Sequence, residues 1–430
     1  MKRVLIVTPN WPPISCPDLH RARMALPYFA DCGWEPLILK FDPDEQEGIR
    51  DPMLCESVPG GTRTWQAGAI PRSWTIWFGL NSVGLRGLLH LARLGSKVIR
   101  AERPSLLFFS TTMFPVMILG IYWKLVHGVP YVLDFQDPWR YERKPNALNP
   151  RRTLKQWLSA RIADILEPLA LRKVSHVVSV SPQYPATLAR RYSWLRPEQF
   201  TVLPFGAAEG DFELLPRLSV RQSIFAPGDG MRHWVYVGRG GGDMALAARA
   251  FFTALRNARR ASPADYEGVC IHFIGTDYAP PDRSRKTIEP IAVECGVGDM
   301  VEEISTRIPY FEALCCLQDA DALIVLGSDD GGYTASKIYP YILAKKPLLA
   351  IFHEDSSVVG LVRKTNCGAV FTFNGQSTVT EIAKAIEGEW FDPARPRNVQ
   401  TNWEEFDSYS ARKMTQKLCR VFDAVAARGE

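Results

Sequence analysis

The sequence predicts an α/β protein with two doubly wound domains in tandem, facing a central cleft. Apolar runs of strand length alternate with helical patterns along the chain, an order typical of a parallel sheet covered by helices. The chain has 430 residues, which is too many for one ordinary core. Residues 207–230 are rich in glycine, proline and charge, and the alternation restarts at His233, so we expect a linker there.

The strands of each domain follow from these apolar runs. In residues 1–206 the runs RVLIVTP, EPLILKF, LLFFS, YVLDF, HVVSVS and FTVLPF predict six strands. In residues 231–402 the runs HWVYVGR, VCIHFIG, DALIVLG, PLLAIF and GAVFTF predict five more. Ligands bind beside the carboxyl ends of parallel strands. We therefore expect the cleft to be lined by the loops after Thr8, Phe135, Gly238, Gly275 and Gly327.

One apolar segment, residues 105–123, carries no charge and is almost long enough to cross a bilayer. We interpret it as the strand LLFFS and the start of a helix, FPVMILGIYWKLVHG, followed by the strand YVLDF. The nine cysteines form no CxxC pair and the chain begins directly with a strand, which predicts a cytoplasmic protein without disulfides. The seven histidines have no HxxxH or HxH spacing, so no metal site is expected.

Basic and aromatic residues are concentrated in two stretches, although the formal net charge is only +5. Residues 63–100 contain no acidic residue, and residues 140–173 contain nine basic residues against three acidic ones. In the first stretch the arginines and lysines alternate with Trp65, Trp74, Trp77 and Phe78. This pattern predicts contact with an anionic membrane surface.

An alternative explanation concerns the helix predicted in the second stretch. Its apolar residues would form a core stripe with the charges as a solvated face, and this can hold together with membrane contact. These residues are Leu154, Trp157, Leu158, Ile162, Ile165, Leu166 and Leu169. No nucleic-acid recognition motif accompanies the charge, so no nucleic-acid partner is predicted.

A glycine loop joins a strand to a helix in YVGRGGGDMALAARAFFTAL. Glycines let the backbone approach a ligand, and the amides at the helix start favour an anion such as a diphosphate. The dinucleotide pattern G-x-G-x-x-G is incomplete, because Gly238 and Gly240 are followed by Asp243, so a dehydrogenase is not predicted. Arg239 is the expected phosphate partner, although a surface arginine in a turn would look the same.

Two further loops carry polar candidates. In LDFQDPWRYERK, Asp134 and Asp137 follow a buried strand, where they can bind sugar hydroxyls or move protons; alternatively, Asp137 caps a helix. In TPNWPPISCPDLHRARM, His20, Arg21 and Arg23 begin a helix. Arginines are disfavoured there by the helix dipole, which suggests an anionic acceptor group.

Four segments, taken in order, resemble those of one enzyme family. They are the proline-rich first loop, VYVGR, RIPYFEALCCLQDADALIVLGS and SKIYPYILAKKPLLAIF. Together they resemble the GT-B-type glycosyltransferases, which have two Rossmann-like domains. The similarity is greatest to the retaining, metal-independent, family 4-like branch of bacterial surface-polysaccharide synthesis. It spans nearly the whole chain, and FDSYSARKMTQKLCRVFDAVA resembles the C-terminal helix that crosses back onto the first domain.

The resemblance implies a division of labour between the domains. Residues 1–206, with a helix at 403–426, would bind a lipid-linked or polysaccharide acceptor, and residues 231–402 would bind a nucleotide-sugar donor. No cofactor is implied, and the protein would work on the inner face of the plasma membrane. The implied donor-binding residues are Gly238, Arg239, Gly240, Gly241, Asp329, Asp330, Thr334, Ser336, Lys337 and Tyr339. The implied catalytic residues are Asp137 and Asp134, and the acceptor-binding residues are Trp11, His20, Arg21 and Trp139.

The chain departs from the family pattern in its donor half. Gly332 and Pro340 stand where the family commonly has two glutamates, and Met244 stands where it has a lysine. We expect Lys337 to replace the lost cation, and Asp329 or Asp330 to take over part of a glutamate's role. In the acceptor half, Gln136 replaces an arginine. These departures leave two other functions open: a non-catalytic binding subunit of a glycan-assembly complex, or a sugar-nucleotide epimerase of the same fold.

Overall fold

The computed structural model describes residues 1–75, 82–140, 154–333, 335–395 and 399–428. The chain forms two compact units. The first consists of Met1–Gly206 and Ala411–Glu430, and the second of Ala207–Ser410. Each unit contains a parallel sheet whose strands are connected by helices, so the predicted α/β class is confirmed.

The first unit is organised around a parallel sheet. Its strands are β1 (Lys2–Val7), β2 (Ile14–Ser15), β3 (Trp34–Phe41), β4 (Ile49–Arg50), β5 (Arg63–Ala67), β6 (Leu106–Ser110), β7 (Tyr131–Phe135), β8 (His176–Ser179) and β9 (Phe200–Val202). Among the described residues, the sheet has the order β5-β3-β1-β6-β7-β8-β9, while β2 and β4 form a separate antiparallel pair. From β1 the chain adds β3 and β5 on one side, and it then adds β6 to β9 on the other side, so the order of strands reverses between β1 and β6. Sheets of this kind bind ligands in the crevice at that point.

Helices connect the strands of the first unit. They are α1 (His20–Ala25), α2 (Arg72–Thr75), α3 (Val83–Arg86), α4 (Leu88–Glu102), α5 (Ile118–His127), α6 (Leu154–Leu171) and α7 (Gln183–Arg191). The apolar segment 105–123 forms β6 and the beginning of α5, as predicted, because Pro104 precedes the strand and residues 111–117 separate it from the helix. Within the described ranges, no helix combines the length and apolar character needed to cross a membrane.

The second unit has its own parallel sheet. Its strands are β10 (Arg232–Val237), β11 (Val269–Ile274), β12 (Val301–Ile304), β13 (Ala322–Leu326), β14 (Leu348–His353) and β15 (Ala369–Phe373), in the order β12-β11-β10-β13-β14-β15. Its helices are α8 (Glu209–Leu218), α9 (Ala245–Ala261), α10 (Glu289–Glu294), α11 (Tyr310–Asp319), α12 (Ile338–Leu343), α13 (Ser357–Thr365), α14 (Val379–Glu389) and α15 (Trp403–Asp407). The interior side chains of α9 and α14 complete an apolar core against the sheet.

The C-terminal segment differs from the single helix predicted over 403–426. It contains α15 in the second unit and α16 (Ala411–Ala426) in the first, with a break at residues 408–410. Phe422 of α16 packs against three rings of the first unit, with centroid distances of 6.1 Å to Phe29, 5.5 Å to Trp34 and 5.1 Å to Phe108. The helix therefore completes the core of the first unit.

The predicted linker, residues 207–230, is part of the second unit rather than a free connection. It contains α8, where Asp211 accepts a hydrogen bond from the Tyr310 hydroxyl at 2.7 Å. Farther along, Glu312 accepts hydrogen bonds from the amide and hydroxyl of Ser223 at 3.0 and 2.7 Å. The glycine- and proline-rich composition thus predicts the domain change but not the contacts that fold these residues onto α11.

Pro340 does not break a helix, because α12 begins only two residues before it, at Ile338. The amides of a first helical turn have no partner within the helix, so a residue without an N–H fits there. The next residue, Tyr341, is buried, and its hydroxyl donates to the Val237 carbonyl at 2.9 Å. This contact ties α12 to the carboxyl end of β10.

Candidate functional site

The glycine loop of the second unit runs from Gly238 to Gly241, between β10 and a short turn that leads into α9. Gly238 has φ 150°, and a Cβ added to it would lie 2.7 Å from Lys337 Nζ. A Cβ on Gly240 would lie 2.4 Å from Thr287 Oγ1, and the Gly240 amide donates to the Thr276 carbonyl at 2.7 Å. The backbone is thus held tightly against its neighbours, and side chains at these positions would displace it.

Arg239 is held in place by Asp243. Its guanidinium donates to both carboxylate oxygens of Asp243 at 3.0 and 2.7 Å, and it lies 4.7 Å from the centroid of the Tyr333 ring. Burial is the largest single influence on the pKa of Asp243 and raises it, but hydrogen bonds from Arg239 and Ser328 together with the charge of Arg239 produce a net lowering of that pKa. Because 26% of the Arg239 side chain is exposed, the guanidinium is both pre-oriented and accessible.

Lys337 lies beside the same loop. Its ammonium donates a hydrogen bond to the Tyr236 hydroxyl and lies 4.1 Å from the centroid of that ring. The hydroxyl donates to the Arg239 carbonyl at 2.5 Å and lies 3.6 Å from the Met244 sulfur. Burial, reinforced by the charge of Arg239, lowers the pKa of Lys337 well below its usual value. One hydroxyl therefore contacts both Lys337 and Met244, the position where the family pattern has a lysine.

The rest of the predicted donor segment is divided between solvent and core. Asp329 and Asp330 are exposed, and the Asp329 amide donates to the Asp243 carbonyl at 2.8 Å. Ser336 is half-buried. Tyr339 is buried, with its ring centroid 6.1 Å from that of Tyr409, so its predicted contact with a ligand is not supported. The predicted residue Thr334 lies outside the described residues.

The loop after Gly275, predicted to line the cleft, follows β11, and none of its residues is among the predicted site residues. Tyr278 is 63% exposed, and the guanidinium of Arg307 lies 4.9 Å from its ring centroid. Beneath this loop the buried Glu303 accepts hydrogen bonds from the Thr276 hydroxyl at 2.5 Å and from three amides at the start of α10, at 2.8 to 2.9 Å. In the sequence, Tyr278 could have been selected because it lies in a proline-rich loop directly after a strand.

In the first unit, Asp134 and Arg21 form an interior ion pair. Arg21 Nε donates to Asp134 Oδ2 at 2.7 Å, and both side chains are buried. Asp134 also accepts hydrogen bonds from Ser110 and Gln136 at 3.2 and 2.8 Å. Burial raises the pKa of Asp134, although Arg21 opposes the change. The predicted catalytic role of Asp134 and acceptor contact of Arg21 are therefore not supported by their positions, which fit positioning of the surrounding loops.

Asp137 differs from Asp134 because it is exposed. Partial desolvation, and secondly the charge of Asp18, raise its pKa. The predicted aromatic partners are not free surfaces: Trp11 is buried, and Trp139 is buried and stacks on Phe114 at 5.3 Å. Asp137 is thus the accessible carboxylate at the end of β7.

His20 is half-buried, and its Nδ1 accepts hydrogen bonds from the guanidinium of Arg23, the closer at 3.0 Å. Residues 141–153 lie outside the described part, so the predicted alternative, in which Asp137 caps a following helix, stays untested.

Asp18 is a central residue of this loop cluster that the sequence analysis did not select. It is 1% exposed and accepts hydrogen bonds from Asn10, Thr111 and Thr112. Asp18 could have been selected from the sequence because it is the sole acidic residue between β1 and α1.

The outward face of the first unit carries exposed apolar side chains on α4, α5 and α6. They are Leu89, Tyr122, Leu125, Val126, Trp157, Leu158, Ile165 and Leu169, which together we call the apolar face. The alternative in which the apolar residues of α6 form a core stripe is wrong for Trp157, Leu158, Ile165 and Leu169, which are exposed. The residues that α6 buries instead are Ala163, Glu167, Ala170 and Leu171. Arg161 lies over the Trp157 ring at 5.6 Å, and Trp74 is also exposed. Trp77, Phe78 and residues 141–153 of the two basic stretches lie outside the described ranges.

Comparison with known proteins gives one family and a set of structures. Residues 20–206 match the family described as glycosyl transferase 4-like domain. None of the curated proteins compared with the chain matches it. HepE of Anabaena in complex with UDP-glucose is 15% identical, with 99% of this chain and 100% of that chain covered and a TM-score of 0.62.

Two other solved structures have the same fold. They are the α,α-trehalose-6-phosphate synthase of Burkholderia multivorans, 13% identical with 100% and 98% covered and a TM-score of 0.61, and a glycosyltransferase of Rickettsia africae, 11% identical with 99% and 98% covered and a TM-score of 0.57. The predicted resemblance to the GT-B-type, family 4-like glycosyltransferases is therefore confirmed.

Proposed function

Because residues 20–206 match a glycosyl transferase 4-like domain and the chain has the GT-B-type fold, we propose that this protein is a retaining, metal-independent glycosyltransferase. It transfers a sugar from a nucleoside-diphosphate sugar to a lipid-linked or polysaccharide acceptor in bacterial glycan synthesis. The observation that carries the proposal is the glycine loop at the end of β10, with the cations of Arg239 and Lys337 beside it.

The donor diphosphate lies against the glycine loop in this proposal. Close backbone approach at Gly240 and two adjacent cations suit an anion of high charge. UDP and UDP-glucose are bound by HepE, which supports a uridine-type donor here. The exposed ring of Tyr278, with Arg307 on one side, is available to stack on the nucleobase.

Lys337 takes the place of the cation that Met244 lacks. The Tyr236 hydroxyl contacts both residues, so it bridges the ammonium of Lys337 and the sulfur of Met244. An anionic donor would stabilise the charged ammonium and offset the burial that lowers the pKa of Lys337. Asp329 and Asp330, both exposed near the loop, bind sugar hydroxyls in place of the glutamates missing at Gly332 and Pro340.

The chemistry in this proposal needs positioning and charge stabilisation. As the bond from the anomeric carbon to the diphosphate breaks, negative charge develops on the leaving phosphate, and Arg239 and Lys337 stabilise it. The acceptor oxygen bonds to the anomeric carbon on the face that the diphosphate leaves, and its proton passes to the leaving phosphate. Asp137 orients the acceptor hydroxyl by accepting its hydrogen bond.

Of the two proposed acceptor classes, the apolar face favours the lipid-linked one. Exposed leucines, tryptophan and isoleucine on adjacent helices, with basic residues among them, suit the headgroup region of an anionic bilayer. We accordingly place the protein on the cytoplasmic side of the plasma membrane, with the apolar face against lipid.

Ligand binding followed by turnover tests the proposal. UDP at 100 times its dissociation constant should stabilise the protein by about 2.7 kcal/mol, which corresponds to a rise in Tm of roughly 5–10 °C for a unit of this size. Arg239→Ala should remove most of the shift. Incubation with UDP-glucose, UDP-N-acetylglucosamine and GDP-mannose should release nucleotide from one donor, and the anomeric configuration of the product, read by NMR, should be retained. A protein that no nucleotide stabilises at millimolar concentration would refute the donor site.

A non-catalytic binding subunit is the second candidate, favoured by Gly332, Pro340 and Met244 at positions that bind donor in the family pattern. The two candidates differ in cells that depend on the protein for glycan synthesis. Full glycan synthesis with both Asp137→Asn and Arg239→Ala would support the binding subunit, whereas loss of synthesis with either one supports the enzyme.

A further inference from the structure

Asp18 occupies the crevice between the carboxyl ends of β1 and β6. Its Oδ1 and Oδ2 accept hydrogen bonds from Asn10 Nδ2 at 3.0 and 3.1 Å. Its Oδ2 also accepts from the Thr111 hydroxyl at 3.1 Å, and from the Thr112 amide and hydroxyl at 3.0 and 3.2 Å. Asn10 follows β1, and both threonines follow β6, so one carboxylate fastens two loops.

The loop after β7 is attached to the same residue. Gln136 Nε2 donates to the backbone carbonyl of Asp18 at 3.2 Å, and Gln136 immediately precedes Asp137. Three loops that follow neighbouring strands of the sheet thus meet at Asp18. The Asp18 carboxylate holds the first two loops, and its backbone carbonyl holds the loop that presents Asp137.

The charge of Asp18 is not neutralised by a cation. All its hydrogen-bond donors in the described residues are neutral, whereas the nearby Asp134 is paired with Arg21 at 2.7 Å. Hydrogen bonds from neutral groups favour the ionised carboxylate without cancelling its field. Asp18 is therefore an almost completely buried carboxyl group held by neutral donors.

That charge acts on Asp137. The pKa of Asp137 is raised first by desolvation and then by Asp18. Two arginines of this region are engaged by other carboxylates: Arg21 by Asp134 and Arg140 by Asp164, each at 2.7 Å.

We propose that Asp18 is a positioning residue for Asp137, which it holds by fastening the loops after β1, β6 and β7 and on which the charge of its carboxylate acts. The inference rests on the proposed function, in which Asp137 accepts a hydrogen bond from the acceptor hydroxyl. A carboxylate accepts that bond and a protonated carboxyl is a poorer acceptor, so Asp18 determines how far the pH can fall before the site loses its acceptor contact.

Thermal unfolding of four proteins measures the coupling without any substrate. They are the wild type, Asp18→Asn, Asp137→Asn and the double variant, each followed from pH 4 to pH 8. A raised pKa means that the folded state keeps the Asp137 proton longer than the unfolded state, so Asp137 destabilises the protein as the pH rises. Asp137→Asn should therefore increase Tm more at pH 8 than at pH 4, by about 3–5 °C for each unit by which the pKa of Asp137 is raised.

In the Asp18→Asn background this gain should be smaller by about 1–2 °C, because the neighbouring charge is gone while desolvation remains. Asp44→Asn, an exposed carboxylate paired with Arg50, is the control and should leave the gain unchanged. If Asp18→Asn does not fold, Asn10→Lys supplies a compensating charge to the same carboxylate and should reduce the gain in the same direction.

Turnover of the active nucleotide sugar then tests the consequence for the site. Asp18→Asn should shift the acidic limb of the pH–rate profile to lower pH by about half a unit to one unit. An Asp137→Asn gain in Tm that is equal with and without the Asp18 charge would overturn the inference, as would a uniform loss of rate without a shift of the limb. Absence of any turnover by the wild type would instead refute the proposed function, while the unfolding comparison still decides the coupling.

Discussion

Replacing Lys337 with methionine should stabilise the free protein and weaken its binding of UDP. The ammonium lies beneath the glycine loop, bonded to the Tyr236 hydroxyl, and burial together with Arg239 lowers the pKa of Lys337 well below its usual value. Methionine has a similar volume and no charge. Replacement of buried ionic pairs by apolar groups of similar volume is neutral or stabilises by roughly 1–4 kcal/mol, and we expect the same direction here; each 1 kcal/mol raises Tm by about 2–4 °C in a unit of this size.

The effect on ligand binding has the opposite sign. A hydrogen bond from a cation to a phosphate contributes about 1.5–3 kcal/mol, which corresponds to roughly 10- to 150-fold in the dissociation constant of UDP. The two effects together identify a cation that is retained for the ligand and not for the fold. A residue that only supported the fold would lower both stability and affinity when replaced.

The pH dependence of the free energy of unfolding tests the buried state of Lys337 independently of ligand binding. The unfolded chain keeps the Lys337 proton to higher pH than the folded protein does, so this lysine makes the wild type more stable as the pH rises toward the usual lysine pKa of 10.5. Lys337→Met should lack that increase. The ammonium is charged when a diphosphate is bound, so UDP binding to the wild type should take up a proton at pH values above the folded-state pKa.

Differential scanning fluorimetry from pH 6 to pH 10 and isothermal titration with UDP measure these quantities. Lys364→Met is the control, because Lys364 is an exposed lysine of the same unit paired with Glu405 at 2.7 Å. It should bind UDP like the wild type. The reasoning is refuted if Lys337→Met binds UDP with wild-type affinity, or if it lowers the Tm of the free protein at pH 7.

Three further predictions concern the loop, the interior ion pair and the apolar face. Gly240→Ala puts a carbon 2.4 Å from a threonine hydroxyl and should weaken UDP binding tenfold or more in titration calorimetry, whereas Gly242→Ala, with open space around its Cβ, should bind normally. Arg21→Met leaves Asp134 buried without its cation and should cost about 3–5 kcal/mol in urea unfolding at pH 7, so a loss below 1 kcal/mol would contradict the ion-pair account. Trp157→Ser should reduce flotation with phosphatidylglycerol vesicles at 50 mM salt, and unchanged flotation would exclude α6 from the contact.

The sequence predicts well the strands that are buried on both faces, because such strands consist of an uninterrupted run of apolar residues. β6 and β7 have the bounds predicted from LLFFS and YVLDF, because both faces of these central strands are covered. β5 and β12 were missed because they carry polar residues: β5, RTWQA, is mostly exposed at the sheet edge, and β12, VEEI, turns Glu303 inward to bind the start of α10.

The candidate site is predictable only in part, for a similar reason. A glycine loop and its arginine are local in sequence, so Arg239 and its surroundings could be selected from spacing alone. The partners of Arg21 and Lys337 are 113 and 101 residues away along the chain, and no local pattern specifies such pairs. Asp18 was missed because its role depends on donors that follow two different strands.

The return of α16 to the first unit affects the order in which the protein can fold during synthesis. The first unit is interrupted in the chain by about 200 residues of the second, so its final helix is made last. Synthesis proceeds at about 5–20 residues per second, so roughly 10–40 s pass between completion of residue 206 and the synthesis of α16. During that time Phe422 does not yet cover the rings of Phe29, Trp34 and Phe108. The second unit is continuous, so a chain that is released after residue 410 would contain all of the second unit but an incomplete first one.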